Sequence, residues 1–178
     1  MHGGFIYVEI LNMKKLTIMF IALVFVLALA GCSATISGTE ELIVKAREEL
    51  PVSDADTIEL RYAGLCGKDD EALIWFVSGN EYQAHYYLPI GFNVVGENEY
   101  TFIQSYKAVD RAMDIAVLEW NGGYSFIINN PNCVAVKIAD NSGTHEITIE
   151  KDAYPYVFYN NLLPSEYVFL DKDGNEIN

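Results

Sequence analysis

Residues Asp114 to Asn129 read DIAVLEWNGGYSFIIN. Two apolar runs, Asp114–Trp120 and Tyr124–Asn129, flank Asn121-Gly122-Gly123. An Asn-Gly between apolar runs predicts a β-hairpin, because both residues tolerate the positive φ of a tight turn. A second hairpin is predicted just downstream. There Val134–Ile138 (VAVKI) and His145–Glu150 (HEITIE) lie on either side of Asp140-Asn141-Ser142-Gly143.

The same reading extends in both directions. Thr57–Ala63 (TIELRYA) alternates Ile58, Leu60 and Tyr62 with Glu59 and Arg61. Ala72–Val77 (ALIWFV) is continuously apolar, the pattern of a strand buried on both faces. Tyr82–Leu88 and Phe92–Val95 follow, separated by Pro89 and Gly91, and then Tyr100–Ala108. Tyr154–Tyr159 (YPYVFY) and Tyr167–Leu170 (YVFL) come last. Ahead of them all, ELIVKAREEL places Ile43, Ala46 and Leu50 on one helical face. Ser37 with Glu40 offers a capping box, or Thr39 an N-cap, and Pro51 ends the helix. The fold class is therefore mainly β (α+β). One short N-terminal helix precedes about ten antiparallel strands, arranged as a sandwich or a curled meander.

The first 32 residues have a different character. Leu16–Ala30 (LTIMFIALVFVLALA) contains only Thr17 as a polar side chain, and Lys14 and Lys15 precede it. As a helix it would cover about 22 Å, short of a hydrocarbon core of roughly 30 Å. A positive start, a short apolar run and small residues at its end are the parts of a secretory signal peptide. The run closes on Leu29-Ala30-Gly31-Cys32, which resembles the lipobox of bacterial lipoproteins residue for residue. That resemblance implies that the Cys32 thiol receives a diacylglycerol group and that a dedicated peptidase then cuts between Gly31 and Cys32. It covers Met13 to Cys32 alone. Residues 1–12 carry Glu9 and no Lys or Arg, so Met13 is the expected start. The expected organisation is a mis-assigned extension (1–12), a signal peptide (13–31), a lipid-anchored linker (32–39) and one β-rich extracytoplasmic domain (40–178).

From Cys32 onward the chain has 24 acidic and 9 basic side chains, a net charge of −15. Such a surface repels nucleic acid phosphates and anionic lipid alike. Nucleic acid is not an expected partner, and attachment to the membrane must come from the acyl chains on Cys32. The expected location is the extracytoplasmic face of a cell membrane, with palmitate or a similar acyl chain on the anchor. The expected partners are an envelope protein or a small ligand.

Candidate chemistry is sparse. Cys66 and Cys133 lie in turn-like contexts, and outside the cytoplasm they could pair or stand as two separate buried thiols. No GxSxG is present, and a hydrolase would have to use His85 or His145, the two histidines after Cys32. Asp69-Asp70-Glu71 reads as a solvated loop. Asp171-Lys172-Asp173-Gly174-Asn175 resembles the opening of a calcium loop. A β-turn with Gly174 at positive φ accounts for the same residues, with calcium the lesser alternative. No cofactor or metal is expected. Of eleven tyrosines after Cys32, Tyr86, Tyr87, Tyr154 and Tyr156 are candidates for stacking a ligand, against the alternative of cross-strand packing. The late chain (NNP, YPYVFY, DKDGNE) resembles small Gram-positive lipoproteins to which no function is attached. The leading expectation is a non-catalytic binding or accessory domain. An envelope hydrolase and a structural subunit of an envelope complex are the alternatives.

Overall fold

Both predicted hairpins form. In the computed structural model, which describes residues 34–79, 86–107, 110–112 and 114–177, Asn121 and Gly122 take φ of 50° and 78°. The turn is therefore two residues long, and Gly123 already belongs to the strand opposite Trp120. The downstream hairpin pairs Asp140 with Gly143.

Among the described residues there are twelve strands and one α-helix. They are β1 (Thr35–Ser37), α1 (Gly38–Glu48), β2 (Leu60–Lys68), β3 (Glu71–Ser78), β4 (Tyr87–Gly96), β5 (Glu99–Ser105) and β6 (Asp110–Ala112). Then follow β7 (Ile115–Trp120), β8 (Gly123–Ile128), β9 (Ala135–Asp140), β10 (Gly143–Thr148), β11 (Tyr156–Asn160) and β12 (Glu166–Leu170). They make three sheets in the orders β1-β5-β4-β3-β2, β11-β8-β7-β6 and β10-β9-β12, and every pairing is antiparallel. No described helix is long and apolar enough to cross a membrane.

The side-chain periods sort the layers. Along β3, Ala72, Ile74 and Phe76 enter a core with Leu42 and Ala46 of α1 and with Leu50 just beyond it. The alternate residues Leu73, Trp75 and Val77 enter a second core with Ala116, Leu118, Trp120 and Ile127 of the four-stranded sheet. That sheet is itself two-faced. Ile115, Val117, Phe126 and Ile128 point the other way, into a third core with Val136 and Ile138 of the three-stranded sheet. The continuous apolar runs of β3 and β7 follow directly, because each strand has to satisfy a core on both sides.

Several local expectations are corrected. The linker read at 32–39 contains β1, whose Thr35, Ile36 and Ser37 pair with Thr101, Tyr100 and Glu99. The capping box between Ser37 and Glu40 does not form. Instead Glu41 reaches back, and its Oε2 accepts the Ser37 backbone N–H at 2.6 Å. Of the predicted face, Ala46 and Leu50 are buried as expected, Leu50 just past the helix, while Leu42 is buried in place of Ile43, which is only partly buried against the same core. Cys66 lies in β2, not in a turn; Asp69 and Asp70 make the turn into β3, Asp69 at φ 57°.

Pro89 and Gly91 do not divide two strands, for β4 runs through both. The Ser78 N–H donates to the Tyr86 carbonyl, so the antiparallel alternation turns the Pro89 nitrogen away from β3. It lies where β5 ends, and there only the Pro89 carbonyl is used, accepting from the Tyr106 N–H at 2.8 Å. A proline is tolerated at such a position because no ladder donor is lost.

Candidate functional site

The four tyrosines do not form one platform. Tyr86 packs half-buried against the helix-side core, and Tyr87 is buried in the middle core. Tyr154 and Tyr156 belong to the third. Their polar tips hold structure together. The Tyr154 hydroxyl donates to the Cys133 carbonyl at 2.6 Å, and Tyr87 donates to Asp114 Oδ1 at 3.0 Å. Tyr156 leans on Phe158 at 5.8 Å, the cross-strand and same-face packing that was the alternative for these rings.

The two described cysteines are free thiols, both buried, one in the middle core and one in the third. The disulfide left open between them is not formed. Cys66 Sγ lies 3.2 Å from Ser125 Oγ, and Ser125 Oγ accepts Trp75 Nε1–H at 2.7 Å. This is a small satisfied polar network inside an apolar layer. Burial pushes the Cys66 thiol up to about 11 and raises Cys133 as well, so neither is a thiolate at neutral pH.

His85, Gly31 and Cys32 lie outside the described residues. His145 is described, half-buried, with Nδ1 4.0 Å from Asp140 Oδ2. A hydroxyl is also near, but in the wrong order for a triad. Ser142 Oγ donates to Asp140 Oδ1 at 2.5 Å, and the Ser142 N–H donates to the same oxygen at 2.8 Å. Asn160 Nδ2 holds the other oxygen at 3.2 Å. These hydrogen bonds, the Ser142 hydroxyl's first, hold the Asp140 carboxyl below its ordinary value. Asp140 thus fastens the β9–β10 turn to the end of β11.

Asp171 closes a comparable turn. Its Oδ1 accepts the backbone N–H groups of Asp173 and Asn175 at 2.9 and 2.8 Å, and Gly174 has φ 79°. The Asp171 carboxyl is lowered chiefly by the Asn175 N–H. Backbone donors occupy the oxygen that a calcium loop would aim at an ion. Among the described residues no group of three or more His, Cys, Asp or Glu side chains could hold a metal.

Two surface depressions are lined by described residues. One lies on the outer face of the three-stranded sheet, about 270 Å³, lined by Lys137, Ala139, Thr144, Glu166 and Val168. The other, about 330 Å³, opens between the last turn of α1 and a short 3₁₀ turn at Ala55–Thr57. Val44, Leu50 and Val52 give it apolar walls, and Arg47, Glu48 and Asp56 give it charge. Arg47 Nε is buried and has no hydrogen-bond partner among the described residues. Glu48 is drawn to Lys45 at 3.3 Å, and Glu49 to the same ammonium at 2.7 Å. The Glu49 hydrogen bond raises the Lys45 pKa, and its Nζ also lies 4.1 Å from the Phe102 ring centroid. Lys45, not Arg47, therefore serves as the helix's internal counter-ion.

The sequence did not mark Arg47. It lies within a mixed-charge helix, where a cation reads as part of a solvated face. No family model, no curated protein and no solved structure matches this chain. Chemically, the second depression combines a guanidinium donor, two carboxylates and an apolar wall.

Proposed function

We propose that the chain is a lipid-anchored extracytoplasmic protein whose β domain is a non-catalytic binding or accessory module. The observation that carries this is Leu29-Ala30-Gly31-Cys32 behind Lys14-Lys15 and a short apolar run. Two acyl chains on one sulfur, at about 0.8 kcal/mol per buried CH₂, hold a protein stably at a bilayer. A net charge of −15 from Cys32 onward provides no attraction of its own.

The corrected linker sharpens the picture. β1 begins at Thr35, so two residues, Ser33 and Ala34, and three Cα–Cα steps separate the anchor from the sheet. At about 3.5 Å per residue the leash reaches roughly 10 Å. The edge of the five-stranded sheet that carries β1 then works close to the headgroups, and the three-stranded sheet belongs to a different layer of the body. The architecture is best read as a β-sandwich thickened by a third sheet, the helix covering one end of the stack. Three successive cores support that reading. Binding is favoured over hydrolysis because the Ser142 hydroxyl is committed to Asp140 and His145 does not line either depression.

Cells grown with an alkyne fatty acid test the anchor. The intact protein is expected in the membrane fraction and labelled. A Cys32→Ala form is expected to carry no label and to keep its leader, since cutting follows acylation in this class. Label on the alanine form would overturn the proposal.

A further inference from the structure

We infer that the depression between the end of α1 and the Ala55–Thr57 turn recognises a zwitterionic ligand, a free apolar amino acid or a short apolar peptide. This deepens the binding reading above and does not depend on the acyl anchor. Three observations on the same few residues carry it.

The first is Arg47. A buried guanidinium Nε–H without an acceptor is costly, because it lost water and gained nothing in exchange. Arg47 also lines the depression, where a ligand carboxylate would give its guanidinium a charge partner, and arginine's planar fork matches a carboxylate. The second is the sign of the rim. Glu48 and Asp56 line the same depression, and the C-terminal end of a helix is its negative end. A purely anionic ligand would meet repulsion there, whereas one that also bears an ammonium has a place for both charges. The third is the wall. Val44 and Val52 are 56% and 44% exposed although both are aliphatic, and Leu50 lies buried beneath them. An apolar ligand side chain would cover them. The volume, about 330 Å³, falls at the small end of ordinary ligand pockets, about 300–1,000 Å³.

Isothermal titration of the full chain in detergent micelles tests the assignment, with four probes: L-leucine, L-leucyl-L-leucine, leucinamide and 4-methylpentanoate. The inference expects heat from leucine, from the dipeptide, or from both. Which of them binds tighter distinguishes a free amino acid from a peptide. Leucinamide lacks the carboxylate and 4-methylpentanoate the ammonium, so each should bind at least about tenfold more weakly. Arg47→Met should weaken the best probe by about ten- to a hundredfold. Glu48→Gln with Asp56→Asn should weaken it while leaving the weak 4-methylpentanoate signal unchanged or stronger. Those two carboxylates are on the surface, so this double variant keeps the test decisive if Arg47→Met fails to fold.

Equal binding of leucine and leucinamide, or no heat from any probe, would overturn the site. Tighter binding of O-phosphoethanolamine than of either leucine compound would overturn it in favour of a lipid headgroup. Loss of the site with fatty-acid labelling of Cys32 intact would leave the anchored-module reading standing.

Discussion

Phe126→Ala is expected to destabilise the domain by about 3–5 kcal/mol, a large part of the 5–15 kcal/mol typical of a single domain. Phe126 is fully buried on the outer face of the four-stranded sheet. Its ring stacks on Phe158 at 4.6 Å and 7°, and it meets the edges of Tyr167 and Phe169 at 5.3 and 6.4 Å. The substitution removes the transfer free energy of a benzyl group and leaves a cavity between two sheets that have few ways to collapse. Guanidinium unfolding reads the result as a lower midpoint at unchanged slope. Val44→Ala, on the exposed wall of the depression, should change stability by no more than about 0.5 kcal/mol. If Phe126→Ala costs under about 1 kcal/mol, the four- and three-stranded sheets do not share a core.

Gly123→Ala is expected to cost about 3 kcal/mol or more, the upper end of overpacking. A Cβ there would overlap the Asn160 carbonyl oxygen and come 2.7 Å from the Tyr159 hydroxyl. Relief requires the end of β11 to leave β8. That movement would break the Tyr159 hydroxyl's bond to the Asn121 carbonyl, 3.0 Å, and separate the Tyr159 ring from Trp120, 5.4 Å away. Gly122→Ala next door meets only Lys68 Nζ, at 3.8 Å, and bears the ordinary cost of a left-handed backbone, about 1–2 kcal/mol. Thermal unfolding of the two variants should therefore rank Gly123→Ala as the less stable. The reverse order would mean that β11 is not seated on β8 as described.

These glycines show how much of the fold was legible in the sequence. Asn121-Gly122 announced a hairpin because positive φ is a local property. Ala72–Val77 announced a doubly buried strand because side-chain period is local too. What was missed depended on long-range pairing. β1 is only three residues, too short for its alternation to announce a strand, and only its partner β5, more than sixty residues away, makes it one. Gly64-Leu65-Cys66-Gly67 looked like a turn, but β3 and its ladder hold it extended. Pro89 looked like a break, yet its missing donor faces the end of β5. The candidate site was less legible still. The tyrosines were conspicuous by number, and the sheets distribute them among three cores. Arg47 was inconspicuous, and only its burial beside a depression distinguishes it.

The anchored-module proposal rests on a covalent event at one sulfur. Intact mass and the amino-terminal peptide of protein extracted from membranes test it most directly. A first residue of Cys32 carrying a diacylglyceryl group is the expected result. A chain that still begins at Met1 or Met13, or that begins elsewhere with an unmodified Cys32, would contradict it.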